Sequence, residues 1–239
     1  MTEFQPIFAS GAGLWYVISK APMEGIVILV LLLLFSIFAW SVLFSKVMQM
    51  RRAKQLNGFF ETEYRNQPKV LGIFDRRVLA EGCPLFGVYN EGAIALDARL
   101  KKGGEVRQEI VSLKGMEHVK RAIENSVARE ALKLESGLIL LAIAVSGAPF
   151  MGLLGTVWGV MITFADVGQK NSADLATMAP GVSAALVTTV AGLLVALPSM
   201  FGYNWLVHSL RVQTVELDNF AQELTSNMET EYLQDSDEI

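Results

Sequence analysis

Residues 136–165 read SGLILLAIAVSGAPFMGLLGTVWGVMITFA, thirty residues without an Asp, Glu, Lys or Arg. A helix over this run reaches about 45 Å at 1.5 Å per residue, longer than the roughly 30 Å hydrocarbon core of a bilayer. Two further runs share the property, Gly25–Ser45 and the stretch from Leu175 past Val207. A soluble protein can hide one such helix in its core, but hardly three in a chain of 239 residues. The sequence therefore predicts an all-α integral membrane protein with three transmembrane helices. We place them at 25–45, 136–165 and 181–206, with connections at 46–135 and 166–180.

The charges predict an orientation. Of the 20 Lys and Arg, 17 lie between Lys46 and Lys133. They crowd the membrane edges: Lys46, Arg51, Arg52 and Lys54 after the first span, Lys120, Arg121, Arg129 and Lys133 before the second. By the positive-inside rule, segment 46–135 is cytoplasmic, the N-terminus and the 166–180 connection are outside, and the C-terminus is inside. Residues 207–239 carry one Arg and eight acids. This acidic tail reads as a solvated end.

Met1–Glu24 lacks a basic leader, so the first span is expected to remain in the mature protein. Trp15 and Tyr16 suggest a helix over 1–24 lying at headgroup depth. The 46–135 segment reads as helical, with long helical extensions of the spans. A polar helix runs from Lys46 until Pro68 stops it, and Glu81–Pro84 is a turn. A second helix covers Leu85–Lys102 before Gly103–Gly104. From Glu105, Val106, Ile110, Leu113, Met116, Val119, Ile123 and Val127 recur at steps of three and four, an amphipathic helix broken from the second span only by Gly137. Cys83 is the sole cysteine, so no disulfide forms within the chain and it reads as structural. His118 and His208 have no partnered nucleophile or metal spacing, so neither an enzyme nor a metal or other cofactor is expected. Nucleic acid is not an expected partner either, because the basic residues are mixed with acids and hug the membrane.

The second and third spans each carry a seam of small residues. Gly152, Thr156, Gly159 and Thr163 share one helix face, with Gly155 beside them. Ala185, Thr189, Gly192, Ala196 and Ser199 share another. Close packing of helices in lipid explains the small residues. The hydroxyls of Thr156 and Thr189 admit a second reading, the wall of a hydrated path. Intramembrane proton carriage normally uses an ionisable group, and the spans have none, so that group must come from elsewhere. Asp166 closes the second span as an interfacial charge. Pro149 and Pro198 are candidate kinks.

GLLGTVWGVM (152–161), followed by MAPGVSAALVTTVAGLLVALPSMFGYNWL (178–206), resembles the ExbB/TolQ/MotA proton-channel family, nearest its ExbB and TolQ branch. The likeness covers about Arg129 to Leu206. It implies a multi-pass bacterial inner-membrane motor subunit, a homopentamer around a dimer of an ExbD- or TolR-like partner. That partner has one transmembrane helix with an essential Asp. The family's lumen threonines fall on Thr156 and Thr189, and its second-span proline on Pro149. One departure stands out: where relatives carry a Glu, in a pattern like APGIAEAL, this chain has Ala184. The implied work is proton-driven transport or mechanical work in the envelope. The competing reading is a non-conducting oligomeric scaffold that anchors cytoplasmic partners.

Overall fold

The computed structural model describes residues 23–101, 107–170 and 175–233. The fold is all-helical, with six helices among the described residues: α1 Met23–Arg65, α2 Gly72–Asp75, α3 Pro84–Leu100, α4 Leu113–Glu135, α5 Leu138–Lys170 and α6 Leu175–Tyr232. Three stretches of helix are long and apolar enough to cross a membrane, on α1, α5 and α6. The chain divides into two units, 1–44 with 137–205, and 45–136 with 206–239.

The first unit inverts the pattern of a soluble protein. Its interior is small: Ile28, Leu32, Ala148 and Ala196 are buried together, with Met151, Ala191 and Val195 beside them. Its outside is large, with Leu33, Ile37, Phe150, Val157, Phe164, Leu194 and Phe201 exposed. An apolar surface this extensive fits lipid and not water. Pro149 lies inside α5 and Pro198 inside α6. Each removes one N–H from the ladder, leaving the carbonyls of Val145 and Leu194 without a helical donor.

The second unit is built on a conventional core. Tyr89, Ala93 and Leu96 of α3 are fully buried against Ile123 of α4 and Leu224 of α6. Phe60, Tyr64, Phe86, Tyr89 and Phe220 form one aromatic cluster, with ring centroids 5.3 Å apart for Tyr64 and Phe220 and 5.7 Å for Phe60 and Phe86. Here α1 and α6 run parallel and in register. Gln213 donates to the Met50 carbonyl at 3.4 Å, and Asn227 to the Tyr64 hydroxyl at 3.0 Å, both across the same offset of 163 residues. Asn57 accepts from the Leu85 N–H and the Cys83 thiol, which fastens the 81–84 turn to α1. Cys83 is buried and caps α3 by accepting from the Phe86 N–H, with Pro84 in the first turn.

Three sequence expectations change and one, the break at Gly137, holds. The amphipathic helix starts at Leu113, not Glu105, because the Ser112 hydroxyl accepts from the Gly115 N–H and caps it there. Gly137 does separate α4 from α5, with φ 83°, a left-handed conformation that favours glycine. The 166–180 connection is helical at both ends, through Lys170 and from Leu175. The acidic tail is no solvated end: α6 continues to Tyr232, and Leu217, Phe220, Ala221, Leu224 and Met228 are core residues. The helix expected over 1–24 falls outside the described residues up to residue 22.

The far end of this unit is held by polar contacts. The Val111 N–H donates to the Tyr232 carbonyl at 2.7 Å and the Val70 N–H to Glu231 at 2.8 Å. Arg107 bridges Asp97 at 2.5 Å and Asp75 at 2.6 Å. Burial pushes the Asp97 carboxyl up, but hydrogen bonds from Lys101 and Arg107 outweigh this and hold it below the usual carboxylate range. Because the folded-state value is depressed, the contribution to stability is complete above the unfolded value, about 3.9, and fades as the pH falls through the folded one. Asp97→Asn is therefore expected to cost about 1–3 kcal/mol at neutral pH. The gap from the unsubstituted protein should narrow when the pH is taken from neutral to below the ordinary carboxylate value of about 3.9. Denaturant titrations of detergent-solubilised protein at the two pH values check this.

Candidate functional site

In the first unit α5 and α6 touch backbone to backbone. A Cβ on Gly152 would lie 2.8 Å from the Thr188 carbonyl oxygen and 3.0 Å from the Thr189 Cα, and one on Gly192 would lie 2.6 Å from the Ala148 carbonyl oxygen. A Cβ on Gly159 would lie 2.8 Å from the Cβ of Ala185, and one on Gly155 would run into the Thr188 side chain. All six seam residues, Gly152, Gly155, Gly159, Ala185, Gly192 and Ala196, are buried. The seam is thus a contact in which side chains would keep two backbones apart.

The atoms crowding Gly152 belong to the facing backbone and cannot swing aside. Gly152→Ala is expected to cost about 1–3 kcal/mol by overpacking, read as a lower unfolding temperature of the purified protein. Gly168→Ala is the control. It has open space around the added methyl, so it should be neutral or stabilising by up to ~1 kcal/mol through helix propensity.

This close approach brings hydroxyls together. Thr156 and Thr189, both half-buried, are in hydroxyl-to-hydroxyl contact. Thr156 also reaches the carbonyls of Gly152 at 3.2 Å and Ala185 at 3.3 Å, and Thr189 reaches that of Gly152 at 3.1 Å. A third hydroxyl, which spacing did not single out, joins them. Thr188 is fully buried and donates to Ala185 at 2.6 Å or Gly152 at 3.0 Å. Thr188 fits steps of three and four from Ala185 and Gly192 as well as Thr189 does. Periodicity alone could not choose between them.

The arrangement has a chemical consequence. A carbonyl oxygen has two lone pairs, yet three hydroxyls reach the Gly152 oxygen. Each hydroxyl has one proton and alternative acceptors, so rotation about a single bond redirects it. Such a cluster can donate to a carboxylate or accept from a carboxylic acid, but it cannot carry charge itself.

The remaining seam residues have quieter surroundings. Thr163 is buried and donates to its own helix at Gly159, 2.8 Å, and Ser199 to Val195, 2.8 Å. Asp166 is exposed near the end of α5, and His118 and His208 are exposed. Ala184, at the position where the family pattern has Glu, is buried at 3 % exposure. No group of three or more His, Cys, Asp or Glu that could hold a metal occurs among the described residues.

Comparison with known proteins extends the likeness beyond 129–206. The MotA/TolQ/ExbB proton channel family matches residues 94–219. The Tol-Pal system protein TolQ of Pseudomonas aeruginosa is 31% identical over 202 residues, 84% of this chain and 85% of the relative. The biopolymer transport protein ExbB of Neisseria meningitidis is 31% identical over 200 residues, 82% of this chain and 88% of the relative. ExbB of Xanthomonas campestris is 41% identical over 113 residues, 47% and 45% of the two chains. The match therefore takes in α4, both small-residue seams and the buried start of the acidic tail, and this chain belongs to the MotA/TolQ/ExbB proton channel family, whose ExbB and TolQ members are transport proteins and not enzymes.

Proposed function

We propose that this chain is the multi-pass subunit of an inner-membrane motor. It assembles as a homopentamer around a dimer of an ExbD- or TolR-like partner, each copy of which has one transmembrane helix, and couples the proton motive force to mechanical work or transport in the cell envelope. Segments 46–135 and 207–239 lie in the cytoplasm, a placement supported by the basic membrane edges of the first of them. Thr156 and Thr189 line the proton path. The observation that carries this reading is their paired hydroxyls on a seam inside three spans that contain no ionisable Asp, Glu, Lys or Arg.

The division of labour follows from that pairing. The partner's Asp carries the proton, because a hydroxyl cannot ionise at physiological pH. The threonines hold the Asp in either state: they donate to the carboxylate and accept from the carboxylic acid. The change needs only hydroxyl rotation, so neither state is bound so tightly that the cycle stalls. Ala184 fits this scheme, since an acid buried there would compete with the partner's Asp for the proton.

Co-expression with the candidate single-span partner tests the proposal. The two should co-purify, and vesicles holding both should take up protons under an imposed gradient, with uptake lost when the partner's Asp is replaced by Asn. Failure to form a complex, or equal flux without the partner, overturns it.

A further inference from the structure

Two surfaces of the second unit carry opposite charge with no partner. On α1, Arg51, Lys54, Gly58 and Phe59 line one exposed groove, and Phe59 is 77 % exposed. Between α4 and α6 lies a groove of about 560 Å³ with Glu124, Asp218 and Glu229 on its rim, Lys120 at one side, and the buried Ile123 and Val127 in its floor. None of these six charged side chains is in an ion pair with another described residue. The two grooves share no residue.

We infer that these grooves are the two halves of one contact between neighbouring copies of this chain, with Phe59 of one copy seated in the acidic α4–α6 groove of the next. The inference rests on the oligomeric assembly proposed above. Three observations carry it. First, the charges are complementary, two unpaired cations facing a groove with net charge −2. Second, the surfaces stand at one level. The 163-residue offset that pairs Met50 with Gln213 and Tyr64 with Asn227 sets Phe59 level with Gln222, which lines the acidic groove. Copies inserted in one bilayer share their axis and depth, so matching levels is a condition that any contact between them must meet. Third, Gly58 stands mid-helix with open space where a Cβ would be, so nothing within the chain requires glycine there, although it weakens a helix by about 1 kcal/mol relative to alanine. A bare backbone beside an exposed phenylalanine lets another molecule come close.

The chemistry sorts into anchor and rim. Phe59 supplies the apolar anchor, and the Ile123 and Val127 floor receives it. Lys54 and Arg51, level by the same offset with Leu217 and Thr214, meet Asp218 at the edge, where charge sets register more than affinity. Because one copy uses two different surfaces, the contact is heterologous. Confined to a membrane plane, a heterologous contact repeats from copy to copy and forms a ring when its rotation closes.

Disulfide trapping tests it. Two full-length chains with different tags, one Phe59→Cys and the other Gln222→Cys, are co-expressed and oxidised in native membranes. Chains without an added cysteine control for Cys83. The expected result is a covalent dimer bearing both tags. Arg51→Glu with Lys54→Glu on the first chain should lower its yield several-fold, and Asp218→Lys on the second should restore part of it. The unsubstituted chain is weighed in nanodiscs cut from the same membranes. An intact oligomer without the mixed dimer overturns this contact and leaves the oligomer standing. A single copy per nanodisc overturns both.

Discussion

Deleting residues 216–239 is expected to abolish accumulation of this protein in the membrane. The acidic composition of that segment suggests the opposite, a tail that can be trimmed without effect. In the structure it supplies Leu217, Leu224 and Met228, each with 0 % exposure, together with Phe220. The Phe220 ring sits 5.9 Å from that of Phe60 and 5.3 Å from that of Tyr64. Removing one large buried side chain costs about 2–5 kcal/mol. Losing four of them is comparable to or larger than the roughly 5–15 kcal/mol by which a domain is stable. The deletion also unpairs Tyr64, which accepts from Asn227, and the N–H groups of Val70 and Val111. Immunoblots of the membrane fraction and limited trypsin digestion provide the measurement. Leu224→Ala gives a graded version, about 2–5 kcal/mol less stable and still folded enough to titrate. A truncated chain that accumulates normally and resists trypsin would show that the α6 core contacts do not hold this unit together.

Replacing Thr156 and Thr189 together by valine is expected to cut partner-dependent proton flux about 10- to 100-fold. Valine keeps the shape of threonine and removes the hydroxyl. A hydrogen bond to a charged group is worth about 1.5–3 kcal/mol, and each 1.36 kcal/mol is a factor of ten in rate. The proposed role requires those bonds to a carboxylate in transit, so their loss appears in flux and not in assembly. Thr156→Ser restores the hydroxyl and should recover most of the flux. Thr188→Val separates the two effects. Thr188 is fully buried and bonded to backbone carbonyls, so its substitution should lower stability more than flux. Proton uptake by vesicles and the yield of the complex distinguish these outcomes. Flux unchanged in the double valine variant would remove both threonines from the proton path.

Much of the first unit was legible from residue order. Lengths of uncharged sequence locate the spans, and steps of three and four locate the seam that buries Gly152, Gly159, Ala185 and Gly192. Within that seam the choice of hydroxyl was not legible. Thr188 and Thr189 are adjacent, and both fit the periodicity of the face. What separates them is the rotation of α6 against α5, which turns Thr188 into the contact and leaves Thr189 half-buried beside Thr156. The start of α4 shows a similar limit. Ile110 keeps the apolar rhythm yet is 48 % exposed, because the cap at Ser112 and the pairing of Val111 with Leu233 take that segment out of the helix.

The sequence by itself determined that the chain is helical, that three of its runs are long and apolar enough to cross a membrane, and that those runs hold no Asp, Glu, Lys or Arg. These follow from run length, periodicity and residue type, which are local properties. Only the tertiary structure decided that the acidic tail is a core helix and that three hydroxyls gather at the Gly152 carbonyl. Both depend on contacts between residues far apart in the chain, such as Tyr64 with Asn227 and Gly152 with Thr188. In the tail, Leu217, Phe220, Leu224 and Met228 already held helical spacing, but spacing says only that a face is apolar. Whether water, lipid or α1 covers that face is settled by the free energy of the whole packed unit.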